Sequence, residues 1–381
     1  MSRRSMRTTD ATLVLEDGTE FAGAVPSSQS KAVRGEVVFT TGMTGYVESL
    51  TDPSYKGQIL VFTYPQVGNY GVPPPDSWES GGIRVAGVVV NELFSESFHY
   101  KSTDSLFARL SRERVPVMTG VDTRAVTRRL RSRGVVSGSI VPKGAPPSDS
   151  DRMREKVSDE SDEVVWYGEE GPLIVLVDYG VKRSIVRSLL HFPVRVKKVP
   201  RGYDYTDEDC DGVLLSNGPG DPAKHQEDVA LLRRAMEKHP TRPFFGICLG
   251  AQLMALASGA VTKKLRYGHR GQNQPCLRIA DNACFLTSQN HGYVVEEASL
   301  SDEWEVTFRN IHDGSVEGFA HKGRPFCRGV QFHPEATPGP VDTWWLFEEF
   351  YRALSGAYPD GRPEGIALAR PSPRRRVASC P

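Results

Sequence analysis

Residues 12–21 (TLVLEDGTEF) place apolar residues on either side of Asp17-Gly18, the pattern of two short strands joined by a tight turn. Strand-like runs recur at 36–40, 58–63 and 85–90, punctuated by Pro73-Pro74-Pro75 and Gly81-Gly82. At 123–133 (TRAVTRRLRSR) the period changes. Val126 and Leu130 stand four apart, Asp122 precedes the first turn as a cap and Gly134 follows the last as a stop, so a helix is expected. Its arginines read as one solvated helix face, with a nucleic-acid-binding patch as the alternative.

Residues 142–163 (PKGAPPSDSDRMREKVSDESDE) hold Pro, Ser and charge but almost no large apolar side chains. Such a stretch cannot bury enough surface to offset the entropy of ordering it, so a domain boundary is expected there. Beyond it the rhythm shifts. Residues 173–177 (LIVLV) are apolar throughout, as in a strand covered on both faces. Helix-like 181–190, strand-like 194–199 and 212–216, helix-like 227–237, strand-like 243–247 and helix-like 249–257 then alternate. This order predicts an α/β fold whose carboxyl-terminal part is a doubly wound, mainly parallel sheet. Residues 260–335 are richer in strands, and 341–354 suggest a closing helix. The expected division is a strand-rich α/β domain over 11–150, a linker over 151–171, the doubly wound domain over 172–356 and a disordered tail over 357–381.

The length of 381 residues is ample for two cores. Lys+Arg and Asp+Glu both total 47, which argues against a uniformly basic nucleic-acid binder. Neutrality here is a cancellation: residues 1–10 carry +2 and 357–381 carry +3, so the body between them is −5. No apolar run approaches the 18 or so residues of a membrane span, and the basic first ten residues lead into no apolar signal core. The six cysteines form no C-x-x-C pair, so a reduced, cytoplasmic chain without structural zinc or any other metal is expected.

Candidate chemistry centres on Cys248. It lies between an apolar strand and a helix beginning at Leu249, flanked by Gly246 and Gly250, as the nucleophile of a G-x-S-x-G elbow would be. Small neighbours let the backbone turn sharply and leave the thiol at the carboxyl end of the sheet, where open α/β sheets bind ligands. A helix N-terminus and a nearby imidazolium would favour the thiolate, and the following amides could accept an oxyanion. The competing reading is a buried, inert cysteine, and it is the preferred one for the other five. His333 and Glu335, in QFHPE, would project to the same side of an extended segment, the carboxylate holding the imidazole in one tautomer. A loop histidine beside a surface glutamate is the plain alternative. The loop 216–222 (SNGPGDP) lacks the spacing and lysine of a phosphate cradle and suits an oxyanion or α-carboxylate better. No ATP-binding motif is visible.

Taken together, PGDP, GICLG with Gln252, QNHG (289–292) and HPE resemble the class I triad glutamine amidotransferases, over residues 172–355. The blocks GEVVFTTGMTGYVESLTDPSYKG (35–57), VDTRAVTRRLR, GHRGQNQP (268–275) and HPEATPGPVDT resemble the small subunits of carbamoyl-phosphate synthetases, which extends the likeness to about 11–355. That resemblance implies a flavodoxin-like amidotransferase domain and hydrolysis of L-glutamine through a γ-glutamyl thioester. It further implies delivery of ammonia to a large subunit, in a heterodimer or a higher oligomer of heterodimers. The large subunit would use ATP and Mg2+ to make carbamoyl phosphate from bicarbonate, for arginine and pyrimidine synthesis. No cofactor is expected in this chain. By motif, Cys248 is the implied nucleophile, His333 the acid/base and Glu335 its orienting carboxylate. The backbone of Gly220 and Leu249 would form the oxyanion hole. Gln252, Asn290, Gly292, Tyr293 and Gly218 would line the glutamine site, with Ser54 reaching in from the first domain. Two departures stand out: Ala251 where the family has His, expected to alter packing or coupling only, and Tyr293 where it has Phe.

Overall fold

The computed structural model describes residues 7–145 and 163–356. Most of the expected boundary at 142–163 and the whole tail at 357–381 lie outside the described residues.

The first strands, Thr8–Leu15 and Glu20–Pro26, pair antiparallel across a turn in which Gly18 takes the left-handed φ of 80°. They edge a seven-stranded sheet that also contains Val136–Pro142, Val33–Thr40, Gln58–Phe62, Gly87–Val89 and Val117–Met118. The last four of these run parallel to one another. Alternation divides their side chains between two cores: Val38, Leu60 and Val88 face one, Val37, Ile59, Val61 and Val89 the other. The expected helix spans Thr123–Arg133, with Asp122 Oδ1 accepting from the Ala125 amide at 2.9 Å and Gly134 ending it at φ 106°.

The second sheet has ten strands. Five are parallel: Leu173–Asp178, Arg195–Pro200, Gly212–Leu215, Phe244–Ile247 and Cys327–Val330. Numbered along the chain, their order in space is 2-1-3-4-5, the flavodoxin-like doubly wound arrangement. Leu173, Val175 and Val177 point into a core shared with helices Gln226–Lys238 and Leu249–Ala257. Ile174 and Leu176 point into one shared with Arg183–Leu189 and Trp345–Leu354. Coverage on both faces is why the strand is apolar at every position. Antiparallel strands Val316–His321, Trp304–Asn310, Thr262–Arg278 and Cys284–Val295 extend the sheet beyond Cys327–Val330.

Two boundaries differ from expectation. Residues 165–167, assigned to the linker, form the edge strand Val165–Tyr167, antiparallel to Arg195–Pro200. Three residues on a polar edge leave too short an alternation to be seen in sequence. The closing helix begins at Trp345 rather than 341, because the Pro338–Pro340 region and the turn before Trp345 hold the chain out of helix.

The two sheets are tied by buried polar groups. Glu79, fully buried, comes from the first sheet's side and accepts from the Ser184 amide at 3.1 Å, from Ser184 Oγ and from Arg187 Nη2 at 2.8 Å. It thereby satisfies the first turn of Arg183–Leu189. Burial raises its pKa, although the nearby Lys182 and Arg187 work the other way. Glu79→Ala strands these donors, so unfolding free energy should drop by about 1–3 kcal/mol. Urea denaturation of the full chain checks this; an unchanged midpoint would show that Glu79 does not fasten the two parts.

Candidate active site

Cys248 lies at the carboxyl end of a parallel strand, with His333 and Glu335 just past the end of another and the remaining candidates on neighbouring elements. Cys248 follows Phe244–Ile247 directly and takes φ 55°, ψ −105°, a conformation that L side chains rarely adopt. Two glycines make this turn possible. A Cβ on Gly250 would lie 2.2 Å from the Leu215 carbonyl oxygen, and one on Gly246 would lie 2.7 Å from the Ala251 nitrogen. The Cys248 amide donates to the Val330 carbonyl at 2.8 Å, and helix Leu249–Ala257 starts at the next residue. Leu249 is thus the first helical residue, and its backbone faces the helix's amino end.

Around the sulfur, Gln331 Nε2 donates to Cys248 Sγ at 3.6 Å, and the thiol approaches the Asn290 carbonyl at 3.8 Å. Gln252, one turn along the helix, donates through Nε2 to the Tyr293 carbonyl at 2.9 Å and to Gln331 Oε1 at 3.0 Å. Ala251 lies in the packed seam between helix and sheet, its Cβ 2.9 Å from where a Cβ on Gly329 would stand. A histidine there would press on Gly329 and Phe319 rather than on the thiol.

His333 and Glu335 do meet: Nδ1 lies 2.6 Å from Glu335 Oε1. The segment between them is a turn, not the extended stretch expected. The Ala336 amide donates to the His333 carbonyl at 3.0 Å, and Ala336 itself is left-handed at φ 58°. Pro334 permits such a turn, and the pairing of the His333 amide with the Ser288 carbonyl at 2.9 Å anchors its start. His333 Nε2 is buried, outside hydrogen-bond geometry to any group, and the Cys248 sulfur is near enough to help hold the ring charged.

Sequence reasoning missed the group that completes this line. Lys182, 2 % exposed, donates through Nζ to Glu335 Oε1 at 3.0 Å and to the Ala336 carbonyl at 2.7 Å. Burial opposes the charge on all three members, yet the contacts win. Lys182 and His333 pull Glu335 down to about 2, Glu335 carries His333 up to about 10 despite burial, and Glu335 also raises Lys182. The signal was a lysine just past the end of the first parallel strand, four residues after Asp178, where ligand-binding loops of this architecture begin.

The first sheet's side supplies further groups. Asp52 Oδ1 accepts from the Ser54 amide at 2.9 Å, and its Oδ2 accepts from Asn290 Nδ2 at 2.9 Å. Ser54 Oγ accepts from Asn217 Nδ2 at 2.9 Å, and Asn217 Oδ1 accepts from the Lys182 amide at 3.1 Å. Asp52 and Asn217 were also missed, though both lie inside segments already marked, TDPSY and SNGPGDP. The loop bearing Gly218 and Gly220 packs against Gly180 and Pro53, and Gly218 has no room for a side chain beside the Tyr179 carbonyl. Gly220, at φ 106°, borders open space. Tyr293 carries its hydroxyl toward Asp221 of the same loop, and burial together with that carboxylate raises its pKa. Gly292 faces the Arg270 guanidinium, whose Nη2 lies 3.4 Å from the position of an added Cβ.

A thiol, an imidazole held charged in one orientation and a helix amino end can perform thiolate attack on an acyl group, with the same ring giving a proton to the leaving group. The buried line also governs stability. Glu335, with its pKa lowered from 4.5 to about 2, contributes stability that is complete above pH 4.5 and lost as pH falls toward 2. His333, raised from 6.5 to about 10, contributes in full below pH 6.5 and loses that contribution as pH rises through 10. Glu335→Gln should therefore be less stable than the parent by about 3–5 kcal/mol, with the widest gap at pH 4.5–6.5. Urea unfolding of both proteins across pH checks this; a gap that does not vary with pH would refute it.

Comparison with known proteins adds to this geometry. Residues 175–353 match the family described as glutamine amidotransferase class-I, and residues 13–140 match the CPSase domain of the carbamoyl-phosphate synthase small chain. The chain is 45% identical over 353 residues to the carbamoyl phosphate synthase arginine-specific small chain of Halalkalibacterium halodurans, covering 89% of this chain and 96% of that protein. Against the corresponding chain of Geobacillus stearothermophilus it is 44% identical, with coverage of 90% and 97%. It is 42% identical to the multifunctional protein CAD of Squalus acanthias, covering 89% of this chain but only 16% of that much longer protein. With both domains matched in order and nearly the whole length shared, the chain belongs to the carbamoyl-phosphate synthase small-chain family, its carboxyl-terminal part being a class-I glutamine amidotransferase domain.

Proposed function

We propose that this chain is the glutaminase subunit of a glutamine-dependent carbamoyl-phosphate synthase. The observation that carries the reading is the meeting of Cys248 at the elbow with the His333–Glu335–Lys182 line. The proton rests on His333 Nε2, and the Cys248 sulfur attacks, as the thiolate, the side-chain amide carbon of L-glutamine. The amides of Leu249 and Gly220 receive the oxyanion. The C–N bond breaks as His333 gives the proton to the departing nitrogen, which leaves as ammonia. Water, losing a proton to His333, then cleaves the thioester, releases glutamate and restores the thiolate beside the charged ring. Glutamine, water, glutamate and ammonia balance, and no electron changes hands.

Substrate selection falls to the surrounding ring of Ser54, Gly218, Gln252, Asn290, Gly292 and Tyr293. Gln252 commits its Nε2 to the Tyr293 and Gln331 oxygens, so its own Oε1 is the atom left to meet an ammonium group. Asp52 aligns Ser54 and Asn290 through one carboxylate, one oxygen to each.

Ammonia then passes to a large partner subunit, which uses ATP and Mg2+ to form carbamoyl phosphate from bicarbonate, in a heterodimer open to further association. Small-chain relatives named as arginine-specific, and fusion relatives such as CAD, support a supply to arginine and pyrimidine synthesis. The described cysteines are all free, which supports a reducing, cytoplasmic setting. Among the described residues no helix is long and apolar enough to cross a membrane.

Two outcomes test this. In the complex, Cys248→Ser should abolish glutamine-dependent carbamoyl phosphate formation and spare formation from added ammonia; loss of both activities would overturn the division of labour. Asp52→Ala should raise KM for glutamine by about 10–100-fold, the cost of two misplaced hydrogen bonds, with ammonia-dependent turnover unchanged. An unaltered KM would show that Asp52 does not position Ser54 and Asn290 for glutamine.

A further inference from the structure

Next to the strand that carries Asn290 and Gly292 lies a polar cluster that glutamine hydrolysis does not use. His269 and His291 face each other across the antiparallel pair of Thr262–Arg278 and Cys284–Val295, and Glu317 enters from Val316–His321. All three are buried, and one ligand-capable atom from each lies within 4.8 Å of the others.

The hydrogen-bond partners decide where protons can be. His291 Nδ1 lies 2.9 Å from the Tyr293 carbonyl, so Nδ1 carries the proton and Nε2 presents a lone pair. That lone pair faces Gln289 Oε1 at 3.2 Å and Glu317 Oε1 at 3.8 Å. Gln289 is not free to reverse its amide, because Nε2 donates to Thr287 Oγ1 at 3.1 Å and to Cys276 Sγ at 3.3 Å. Acceptors from three side chains therefore converge, and the donors that reach them are distant: Asn310 Nδ2 at 3.4 Å from Glu317 Oε1 and from His269 Nδ1, and Ser315 Oγ at 3.5 Å from Glu317 Oε1. Glu317 Oε2, on a side chain with no exposure, has no hydrogen-bond partner. Buried acceptors in this arrangement repel one another unless a cation lies among them.

His269 supplies the fourth group. Its Nε2 lies 2.9 Å from Asp313 Oδ2 and its Nδ1 3.1 Å from Glu317 Oε1. When Nε2–H donates to Asp313, Nδ1 turns a lone pair toward the same centre. Metal-binding imidazoles are held in this way, the far nitrogen donating to a carboxylate or a carbonyl. Here both histidines are so held, one by Asp313 and one by the Tyr293 carbonyl.

We propose that His269 Nδ1, His291 Nε2 and Glu317 bind a divalent cation, with Gln289 Oε1 or a water in the fourth position. Two imidazoles, a carboxylate and a four-fold set suit Zn2+. Zinc bonds of about 2.0–2.1 Å in a tetrahedron put neighbouring ligand atoms roughly 3.4 Å apart; the separations of 3.1, 3.2 and 3.8 Å bracket that spacing. Asp313, with a side chain 41 % exposed, marks the side open to an entering ion. Cysteine spacing argued for no structural zinc, but this set contains no cysteine. The ion would clamp His291, and so the backbone between Asn290 and Gly292. The alternative is a second proton on His269, donated to Glu317, with no ion at all.

The test reads metal content and so stands apart from glutaminase activity. The full chain is stripped with a chelator, titrated with Zn2+ alone, gel-filtered and assayed by plasma mass spectrometry. Retention of about one Zn2+ per chain is expected, along with the strong visible absorption of a tetrahedral site when Co2+ replaces it. The His269→Ala, Glu317→Gln double variant should bind at least about 100-fold more weakly, and Asp313→Asn, which leaves the ligands in place, about 10–100-fold more weakly. Asp313→Asn keeps the proposal testable if the double variant does not fold. His321→Ala, away from the cluster, should bind as the parent does. A parent chain that retains no zinc, or equal binding by the parent and Asp313→Asn, would overturn the site.

Discussion

Glu335 is an anion without water around it, and it remains one because Lys182 Nζ lies 3.0 Å away and His333 Nδ1 2.6 Å away on the same oxygen. Three charges buried in a row would each be costly alone. Together they fix what the thiol meets: a charged ring, held through Nδ1 by Glu335, with Nε2 turned toward Cys248. Everything nearby serves that alignment. The turn at 333–336 brings Glu335 back beneath the ring, and the Ala336 carbonyl takes a second bond from Lys182. The elbow glycines meanwhile leave Cys248 at the facing strand end.

The same line explains why the chain needs its first domain beside the second. Lys182 is held by its backbone to Asn217, Asn217 to Ser54, Ser54 to Asp52 and Asp52 to Asn290. This route leaves the parallel sheet, enters the first sheet's side and returns on the strand opposite the elbow. Glu79 fastens the helix that follows Lys182. Candidate site residues from the two domains are therefore joined by one continuous set of hydrogen bonds, which also packs the domains together.

Much of this was legible in the chain itself. The uninterrupted apolar run at Leu173–Asp178 marked a strand covered on both faces, and the glycines around Cys248 marked the elbow, because both follow from local sterics and burial. Asp122 and Gly134 gave the helix limits for the same reason. What could not be read were partners distant in sequence. Lys182 meets Glu335 across 153 residues, and Asp52 meets Asn290 across 238. Its place past the strand end marks Lys182 as a loop residue near the site, but nothing local shows that it turns inward to meet Glu335. The turn at His333 escaped because Pro334 is compatible with both extended and turn backbone, and the choice is made by pairing with Ser288. The edge strand Val165–Tyr167 is a tertiary product, stabilised by its neighbour rather than by its own pattern.

Glu335, itself held ionised by Lys182, keeps the His333 ring charged beside the thiol against both burial and the Lys182 charge. Nitrogen-15 NMR of the histidine-labelled chain, with His333 assigned through a His333→Asn variant, measures this directly. The account predicts a doubly protonated ring throughout the neutral range, titrating only toward pH 10. A ring that loses its proton at or below the ordinary histidine value of about 6.5 would contradict it.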